Sequence, residues 1–363
     1  MSGVHNFNPG PAVLPAEVLE EVREEMFDFK GTGISILETS HRSKEYQEIN
    51  DRARSLLLEL LGLGDEYEAM FLQGGASLQF AQVPMNLLGP GETADYVVTG
   101  AWSAKALKEA KLRGKVNVAA DTKTDRGYTR IPRPEELKLT PGAAYVHVTT
   151  NNTISGTQWH ELPDTKGVPL VVDASSDCLW KPHDYSNLGL LYAGAQKNLG
   201  PAGATAVVIR KDLLDKCGED VPIILRYKTQ AEKGGLYNTP SCFAVYVIMK
   251  VLEWVKARGG AEAMERSNRE KAELVYGVID KFPQVYSSPV EKESRSYMNV
   301  VWHLPSPEKE AAFLEGAARR GMIGLKGHRS VGGCRASLYN SLPVESARAL
   351  AEYMEEFAAT MGT

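Results

Sequence analysis

Short hydrophobic runs alternate with helix-like stretches between residues 68 and 210. The runs occupy positions 69–72, 96–99, 116–120, 145–148 and 170–172. Runs of this length predict buried strands, and their alternation with helices or turns predicts an α/β fold with a largely parallel sheet. Ligands bind beyond the carboxyl ends of such strands, so we expect the functional residues to follow these runs.

The order of predicted elements changes after a helix near residue 250. Thr239 as the N-cap and Pro240 as the first helical residue predict that this helix runs from about residue 241 to 258, where two glycines end it. Beyond it the sequence predicts a long helix, a strand near 297–302, a helix at 307–320, a glycine-rich loop, a short strand and a final helix.

This change of order predicts two domains. We expect a large domain over residues 16–257 and a smaller domain formed by residues 1–15 and 258–363. The segment 7–11 is assigned to the smaller domain because it precedes the first helix. A chain of 363 residues exceeds the usual size of a single core, which also favours two domains.

Composition and charge narrow the class of protein. A net charge of −5 argues against a nucleic-acid partner, and no stretch approaches the roughly 18 apolar residues of a membrane span. The four cysteines include no C-x-x-C pair, so neither a disulfide framework nor a metal site is indicated. Residues 1–29 show no signal-peptide core. These features predict a cytoplasmic enzyme without a nucleic-acid or membrane partner.

One lysine lies on a glycine-rich turn between two apolar runs. Lys197 follows the run 189–192 and precedes the run 205–209. A lysine in such a place is partly desolvated, which favours the neutral amine, a nucleophile that can form a Schiff base. Asp173, at the end of another apolar run, supplies a carboxylate that could face the ring nitrogen of pyridoxal phosphate (PLP). Each residue alone also fits a surface lysine or a turn-capping aspartate, but together they predict a PLP enzyme.

Three further positions have two interpretations each. Gly74-Gly75-Ala76-Ser77 precedes a predicted helix and could bind a phosphate, or it could be a plain turn capped by Ser77. Trp102 follows a strand and could stack on a flat ring or belong to the core. His147 lies inside a strand and is predicted to be a core histidine. We expect the residues that follow strands to converge on one cleft: Ser77, Trp102, Thr153, Asp173 and Lys197.

Two arginine-bearing loops predict an anionic substrate. The early loop 39–42 contains Arg42, and the late loop 326–335 contains Arg329 and Arg335. Arginine binds carboxylate and phosphate groups through paired, charge-assisted hydrogen bonds. Any one of these arginines could equally be a surface charge. The occurrence of three in glycine-bearing or Ser/His-flanked loops favours binding of a dianionic substrate.

Beyond these features, the chain resembles the phosphoserine aminotransferases, a family of class V PLP-dependent aminotransferases. The matching segments cover nearly the whole chain and are 7–11, 40–42, 73–77, 100–103, 151–157, 173–176, 195–198, 237–240 and 327–335. The resemblance implies the PLP-dependent transferase fold of aspartate-aminotransferase type, with a mainly parallel seven-stranded sheet in the large domain and a smaller α+β domain. It also implies reversible transamination between L-glutamate and 3-phosphohydroxypyruvate, giving O-phospho-L-serine and 2-oxoglutarate in serine biosynthesis. Some members of the family also form 4-phosphohydroxy-L-threonine in pyridoxine biosynthesis.

The resemblance implies four contacts with the cofactor ring. Lys197 would bind the aldehyde as a Schiff base and then shuttle the substrate proton. Asp173 would face the pyridine nitrogen, and Trp102 would stack on the ring. Thr153 would hydrogen-bond the phenolic oxygen or its neighbour.

The resemblance also implies how the cofactor phosphate is held. Ala76, Ser77 and Gln196 would bind it from one subunit, and Asn238 and Thr239 would reach it from the other, which implies a homodimer. Some family members carry an arginine at the position of Ser77. Whether position 77 helps to bind substrate therefore stays open.

The substrate contacts complete the implied site. Arg335 would bind the α-carboxylate of the substrate. The substrate phosphate would be surrounded by His41, Arg42, His328 and Arg329.

Other classes of protein are less well supported by the sequence. A cysteine desulfurase of the same fold would need a mobile cysteine, for which Cys334 is the candidate, and a histidine where this chain has Trp102. A non-enzymatic binding protein would be expected to lose Lys197 or Asp173. A nucleotide-dependent dehydrogenase is disfavoured because no G-x-G-x-x-G motif follows the first strand.

Overall fold

The computed structural model describes residues 3–361 of the chain. The α-helices are α1 Ala16–Glu25, α2 Lys44–Leu61, α3 Gly75–Leu87, α4 Ala101–Lys111, α5 Tyr227–Ala231, α6 Cys242–Ala257, α7 Gly260–Lys281, α8 Pro307–Arg319 and α9 Val344–Met361. The strands are β1 His5–Asn6, β2 Tyr67–Leu72, β3 Thr93–Val98, β4 Lys115–Asp121, β5 Lys123–Thr124, β6 Gly127–Tyr128, β7 Val146–Thr149, β8 Asn151–Asn152, β9 Thr157–Gln158, β10 Leu170–Asp173, β11 Leu188–Gly194, β12 Thr205–Arg210, β13 Asn299–Trp302, β14 Met322–Ile323 and β15 Cys334–Ser337. No helix within the described range is long and apolar enough to cross a membrane.

Seven of these strands form the main sheet, in the order β2-β12-β11-β10-β7-β3-β4. β12 runs antiparallel to both of its neighbours, and the other pairings in this sheet are parallel. The mainly parallel seven-stranded sheet is therefore confirmed. Asp173 at the end of β10 is in register with Thr149 at the end of β7, and this edge of the sheet carries the candidate site.

Helices cover both faces of the main sheet. α6 packs on one face, where Ile248 and Val172 belong to one hydrophobic core. α3 packs on the other face, where Phe80 and Val171 belong to a second core. The adjacent residues Val171 and Val172 thus point to opposite cores, as strand geometry requires. Burial on both faces explains why the strands have continuous apolar sequences rather than alternating ones.

A third hydrophobic core lies in the C-terminal part of the chain. It is built from α7, α8, α9, β13 and β15, and it includes Phe7 from the N-terminal segment. β1 pairs in parallel with β14, so this segment packs on the C-terminal part of the chain. The separate core supports domains over 16–257 and over 1–15 with 258–363, a division that stays a prediction. Residues 1, 2, 362 and 363 lie outside the described residues.

The helix expected at about residues 241–258 is confirmed as α6, but its expected N-cap is wrong. The helix begins at Cys242 with Ser241 as its N-cap, whereas the sequence pattern put Thr239 at the cap. The main-chain oxygen of Thr239 instead accepts a hydrogen bond of 2.7 Å from Gln73 Nε2. This contact ties the segment to the end of β2, so Pro240 lies before the helix rather than in its first turn.

Candidate active site

A cavity of about 300 Å³ lies at the carboxyl ends of the parallel strands. Its walls contain all the residues that were expected to converge: Ser77, Trp102, Thr153, Asp173 and Lys197. They come from separate stretches of the chain, and the parallel sheet brings them to one edge. Four further candidates line the same cavity: Ala76, Gln196, His328 and Arg335.

Lys197 lies on the turn that joins β11 to β12. The Ala195 N–H donates to the Ala204 oxygen at 3.0 Å and closes this turn where the two antiparallel strands meet. Burial lowers the pKa of Lys197, and the opposing attraction of Asp173 is smaller. The larger share of neutral amine suits a nucleophile or a proton-transferring base.

Asp173 ends β10 as a buried carboxylate in the cavity wall. The Ser175 N–H donates to its Oδ1 at 3.0 Å. Burial raises the pKa of Asp173, while hydrogen bonds from Ser175 and the charge of Lys197 lower it. A buried carboxylate is costly unless it is hydrogen-bonded or lies beside a cation. Asp173 is therefore suited to pair with a protonated ring nitrogen.

The turn between β2 and α3 is suited to an anion. Gly74 and Gly75 have φ angles of 93° and 68°, in the left-handed region that favours glycine. The first N–H groups of α3 lack acceptors within the helix, and Ala76 and Ser77 place this positive end of the helix dipole at the cavity wall. No side chain caps the helix, so Ser77 is not the cap of a plain turn. These groups fit a phosphate.

Trp102 presents a flat surface beside the lysine. It lies half-buried in the first turn of α4, and its indole Nε1 donates to Thr153 Oγ1 at 3.1 Å. Lys197 Nζ is 5.8 Å from the centre of the indole ring. An aromatic group attached to Lys197 would therefore lie within stacking distance of the indole.

Arg335 reaches the cavity from β15 in the C-terminal part of the chain. Its Nη1 donates to the Thr153 main-chain oxygen at 2.7 Å, and its buried Nε has no partner among residues 3–361. Burial lowers the pKa of Arg335, but a guanidinium stays charged in proteins. A buried cation with an unused donor fits a carboxylate ligand.

A second buried carboxylate, Asp177, was missed by the sequence analysis. It accepts hydrogen bonds from Thr150 Oγ1 at 2.6 Å and from Gln158 Nε2 at 3.1 Å. Burial raises the pKa of Asp177 to about 7, and the charge of Lys197 acts in the opposite direction. The available signal was an acidic residue four positions after Asp173 in an otherwise uncharged stretch.

Five candidates lie outside this cavity in the single chain: His41, Arg42, Asn238, Thr239 and Arg329. The first of these is half-buried, and the other four are exposed. One chain therefore brings together the groups suited to the cofactor and to an α-carboxylate, but only His328 among the groups expected to bind the substrate phosphate. The roles of the five outlying residues remain predictions.

The structure disfavours a cysteine nucleophile. Cys334 precedes Arg335 on β15, so strand alternation turns its thiol away from the cavity and into the C-terminal core. Burial raises the pKa of this thiol, whereas a reactive cysteine needs a lowered one. Within residues 3–361, no cluster of three or more His, Cys, Asp or Glu residues could hold a metal ion.

Comparison with known proteins identifies the family. The sequence profile of the class-V aminotransferases matches residues 4–350. The chain is 54% identical over 361 residues to the phosphoserine aminotransferase of Desulfosudis oleivorans, with 99% of each chain covered. It is 51% identical over 360 residues to that of Halalkalibacterium halodurans, again with 99% of each chain covered. The chain belongs to the class-V aminotransferase family.

Solved structures of other proteins support the assignment of this chain to the class-V aminotransferase family. The phosphoserine aminotransferase of Bacillus circulans subsp. alkalophilus is 48% identical, with a TM-score of 0.96 over 99% of each chain. The PLP-bound phosphoserine aminotransferase of Trichomonas vaginalis is 37% identical, with a TM-score of 0.92 over 97% of this chain and 99% of that one. The expected fold and the expected PLP cofactor are confirmed.

Proposed function

We propose that the enzyme transfers an amino group reversibly between L-glutamate and 3-phosphohydroxypyruvate, giving O-phospho-L-serine and 2-oxoglutarate. The proposal rests on the observation that Lys197, Asp173 and Arg335 line the same cavity. Full-length relatives named phosphoserine aminotransferase support the choice of substrate. A cytoplasmic location is part of the proposal. Formation of 4-phosphohydroxy-L-threonine stays a prediction.

The residues around the cofactor ring divide the chemistry among them. PLP supplies an aldehyde that captures amines and a ring that draws electrons from the adjacent carbon. Lys197 Nζ, which burial favours in the neutral form, serves as the base that takes the proton from the substrate Cα. Asp173 would hold a proton on the ring nitrogen, Trp102 would pack against the ring, and Thr153 would hydrogen-bond its phenolic oxygen.

Two anion sites orient cofactor and substrate. The N-terminal turn of α3, at Ala76 and Ser77, holds the cofactor phosphate together with Gln196. Arg335 binds the α-carboxylate, which glutamate and phosphoserine share. The phosphate of the substrate is bound by cationic and imidazole side chains, which are His41, Arg42, His328 and Arg329.

A homodimer is part of the proposal, because one chain does not complete the site. Asn238 and Thr239 lie outside the cavity of their own chain, and they would reach the cofactor phosphate of a second copy. Large apolar side chains are exposed near them on the chain, with Tyr237 44% and Ile223 54% exposed. Apolar surface of this kind is typical of regions that an assembly covers.

The function is tested by the visible spectrum of the protein loaded with PLP. We expect either phosphoserine or glutamate to bleach the cofactor band of the wild type, and 2-oxoglutarate to restore it. Lys197→Ala should fail to turn over either amino acid. The matched control is Lys271→Met, because Lys271 is also a buried lysine but donates to the Tyr339 oxygen outside the cavity.

Two outcomes would contradict different parts of the proposal. A response to glutamate but not to phosphoserine would support the aminotransferase activity and reject phosphoserine as a substrate. Failure of the wild type to bind PLP would reject the role of Lys197 itself.

The shared site is tested by mixing two inactive variants. If Asn238 and Thr239 serve the partner, hybrids of Lys197→Ala with an Asn238→Ala/Thr239→Ala chain contain one intact site and one doubly altered site. Random exchange makes half of the dimers hybrids, so about a quarter of wild-type activity should return. No recovery despite proven subunit exchange would place both sets of residues in the same chain's site.

A further inference from the structure

Two buried asparagines form a bridge between the cavity wall and the C-terminal part of the chain. Asn151 begins β8 and lines the cavity, whereas Asn299 begins β13. The side-chain Nδ2 of Asn151 donates to Asn299 Oδ1 at 2.7 Å. The two residues are 2% and 0% exposed, so water does not compete for this hydrogen bond.

Every amide hydrogen of these two side chains has an acceptor. The second hydrogen of Asn151 Nδ2 is donated to Ser176 Oγ at 2.8 Å. The two hydrogens of Asn299 Nδ2 are donated to Ser337 Oγ at 3.0 Å and to the Tyr339 hydroxyl oxygen at 3.3 Å. Neither amide can turn without breaking several buried hydrogen bonds, which makes the bridge rigid.

The bridge runs beside the contact that places Arg335 in the cavity. On one side of the bridge, Asn299 contacts Ser337, which is two residues after Arg335 on β15. On the other side, Asn151 is two residues before Thr153, whose main-chain oxygen accepts from Arg335 Nη1. The same two stretches of chain are therefore joined twice, once by the asparagines and once by Arg335 itself.

A branch of the same network reaches a second segment of the cavity wall. The Tyr339 hydroxyl, which accepts from Asn299, donates to the Pro9 main-chain oxygen at 2.8 Å. Pro9 and Gly10 line the cavity, and a Cβ on Gly10 would lie 3.2 Å from Lys197 Cγ. Asn299 is thus hydrogen-bonded, directly or through one hydroxyl, to two separate segments of the wall.

We propose that Asn299 is a positioning residue that fixes the Arg335 guanidinium at the place where it binds the substrate α-carboxylate. Asn299 does not line the cavity, so it acts through Arg335 rather than by touching the substrate. Paired hydrogen bonds between a guanidinium and a carboxylate depend on their relative placement, and a misplacement of about 1 Å in a site costs up to ~100-fold in rate. The inference rests on the function proposed above, in which Arg335 binds that carboxylate.

The variant that tests this role is Asn299→Leu, which keeps the size of the side chain and removes its hydrogen bonds. Losing one of the two charge-assisted hydrogen bonds to the carboxylate costs roughly tenfold in affinity, so KM should rise by about that factor for glutamate and phosphoserine. We expect kcat to change little, as for an interaction lost equally before and in the transition state. The dissociation constant of PLP, titrated into the protein without cofactor, should stay as in the wild type.

The matched control is Asn268→Leu. Asn268 is also a buried asparagine, and its Nδ2 donates to the Trp180 oxygen at 3.1 Å and to Asn340 Oδ1 at 2.9 Å, outside the cavity wall. Its KM values should match the wild type, and a rise equal to that of Asn299→Leu would overturn the proposal. If Asn299→Leu does not fold, Ser337→Ala removes a single acceptor of the bridge and should raise KM by roughly threefold.

The action through Arg335 is measured by repeating the change in an Arg335→Lys background. A lysine binds a carboxylate as a point charge on a flexible stem, so Asn299→Leu should raise KM much less there than in the wild type. Equal factors in the two backgrounds would overturn the proposal, as would a PLP dissociation constant that rises as much as KM. A wild type that transaminates neither amino acid would instead overturn the function on which the inference rests.

Discussion

At the scale of single residues, Arg335 is the side chain that we propose binds the α-carboxylate of both amino-acid substrates. Its guanidinium is buried, and its Nε has no hydrogen-bond partner among residues 3–361. Arg335→Lys keeps the charge but loses the paired geometry that fits a carboxylate. We expect kcat/KM to fall by about tenfold or more for glutamate and phosphoserine alike. Arg348→Lys, at an exposed arginine on α9, is the control. A loss of kcat/KM confined to phosphoserine would indicate that Arg335 binds the substrate phosphate instead of the α-carboxylate.

The buried imidazole of His147 also makes a prediction about pH. Its pKa is about 3 in the folded protein and about 6.5 when unfolded, so between these values the unfolded chain binds the extra proton. The free energy of unfolding should therefore fall as the pH drops through this window. By pH 5, His147 should account for a loss of about 2 kcal/mol. His147→Gln should flatten the pH dependence of the urea midpoint, whereas Tyr145→Phe should not. An unchanged slope in His147→Gln would show that this imidazole can take up a proton while folded.

At the scale of secondary-structure elements, the turn before α3 tests the proposed site for the cofactor phosphate. A Cβ on Gly74 would lie 2.5 Å from Leu78 Cδ2, so Gly74→Ala forces the turn to shift. We expect PLP affinity to fall by about tenfold, since an anion at a helix N-terminus is worth up to ~2 kcal/mol. Gly91→Ala is the control, because Gly91 also has a positive φ but no atom within 4 Å of its added Cβ. Equal PLP affinity in Gly74→Ala and Gly91→Ala would show that this turn does not bind the cofactor phosphate.

The same elements show what a sequence can predict. The strands of the main sheet were recognisable because both of their faces are buried. Asp173 and Lys197 were recognisable because the first ends a strand and the second lies on the turn after one. The start of α6 was not, because a contact between Thr239 and Gln73, 166 positions apart, overrides the local capping pattern. Asp177 was missed for a similar reason, since its partners Thr150 and Gln158 come from distant parts of the chain.

At the scale of the whole molecule, the candidate site joins two separately packed parts of the chain. Asp173 ends β10 of the sheet between the two large cores, Lys197 lies on the turn after β11 of the same sheet, and Arg335 comes from β15 beside the C-terminal core. The hydrogen bond from Arg335 to the Thr153 oxygen links the two parts directly at the cavity. In the proposed function, the substrate carboxylate and the cofactor are thus held by different parts of the fold, and a second copy supplies the phosphate contacts that lie outside the single chain's cavity.

The proposed homodimer leads to a prediction about the segment that precedes His41 and Arg42. Phe27 is 85% exposed there, and Leu37 is 59% exposed. If a partner chain covers this surface, Phe27→Asp buries a charge in the interface, and we expect a shift from dimer to monomer together with loss of activity. Leu112→Asp is the matched control, because Leu112 is 84% exposed at the end of α4, outside that segment. Light scattering after gel filtration gives the masses, and a Phe27→Asp protein that stays dimeric and active would place the interface elsewhere.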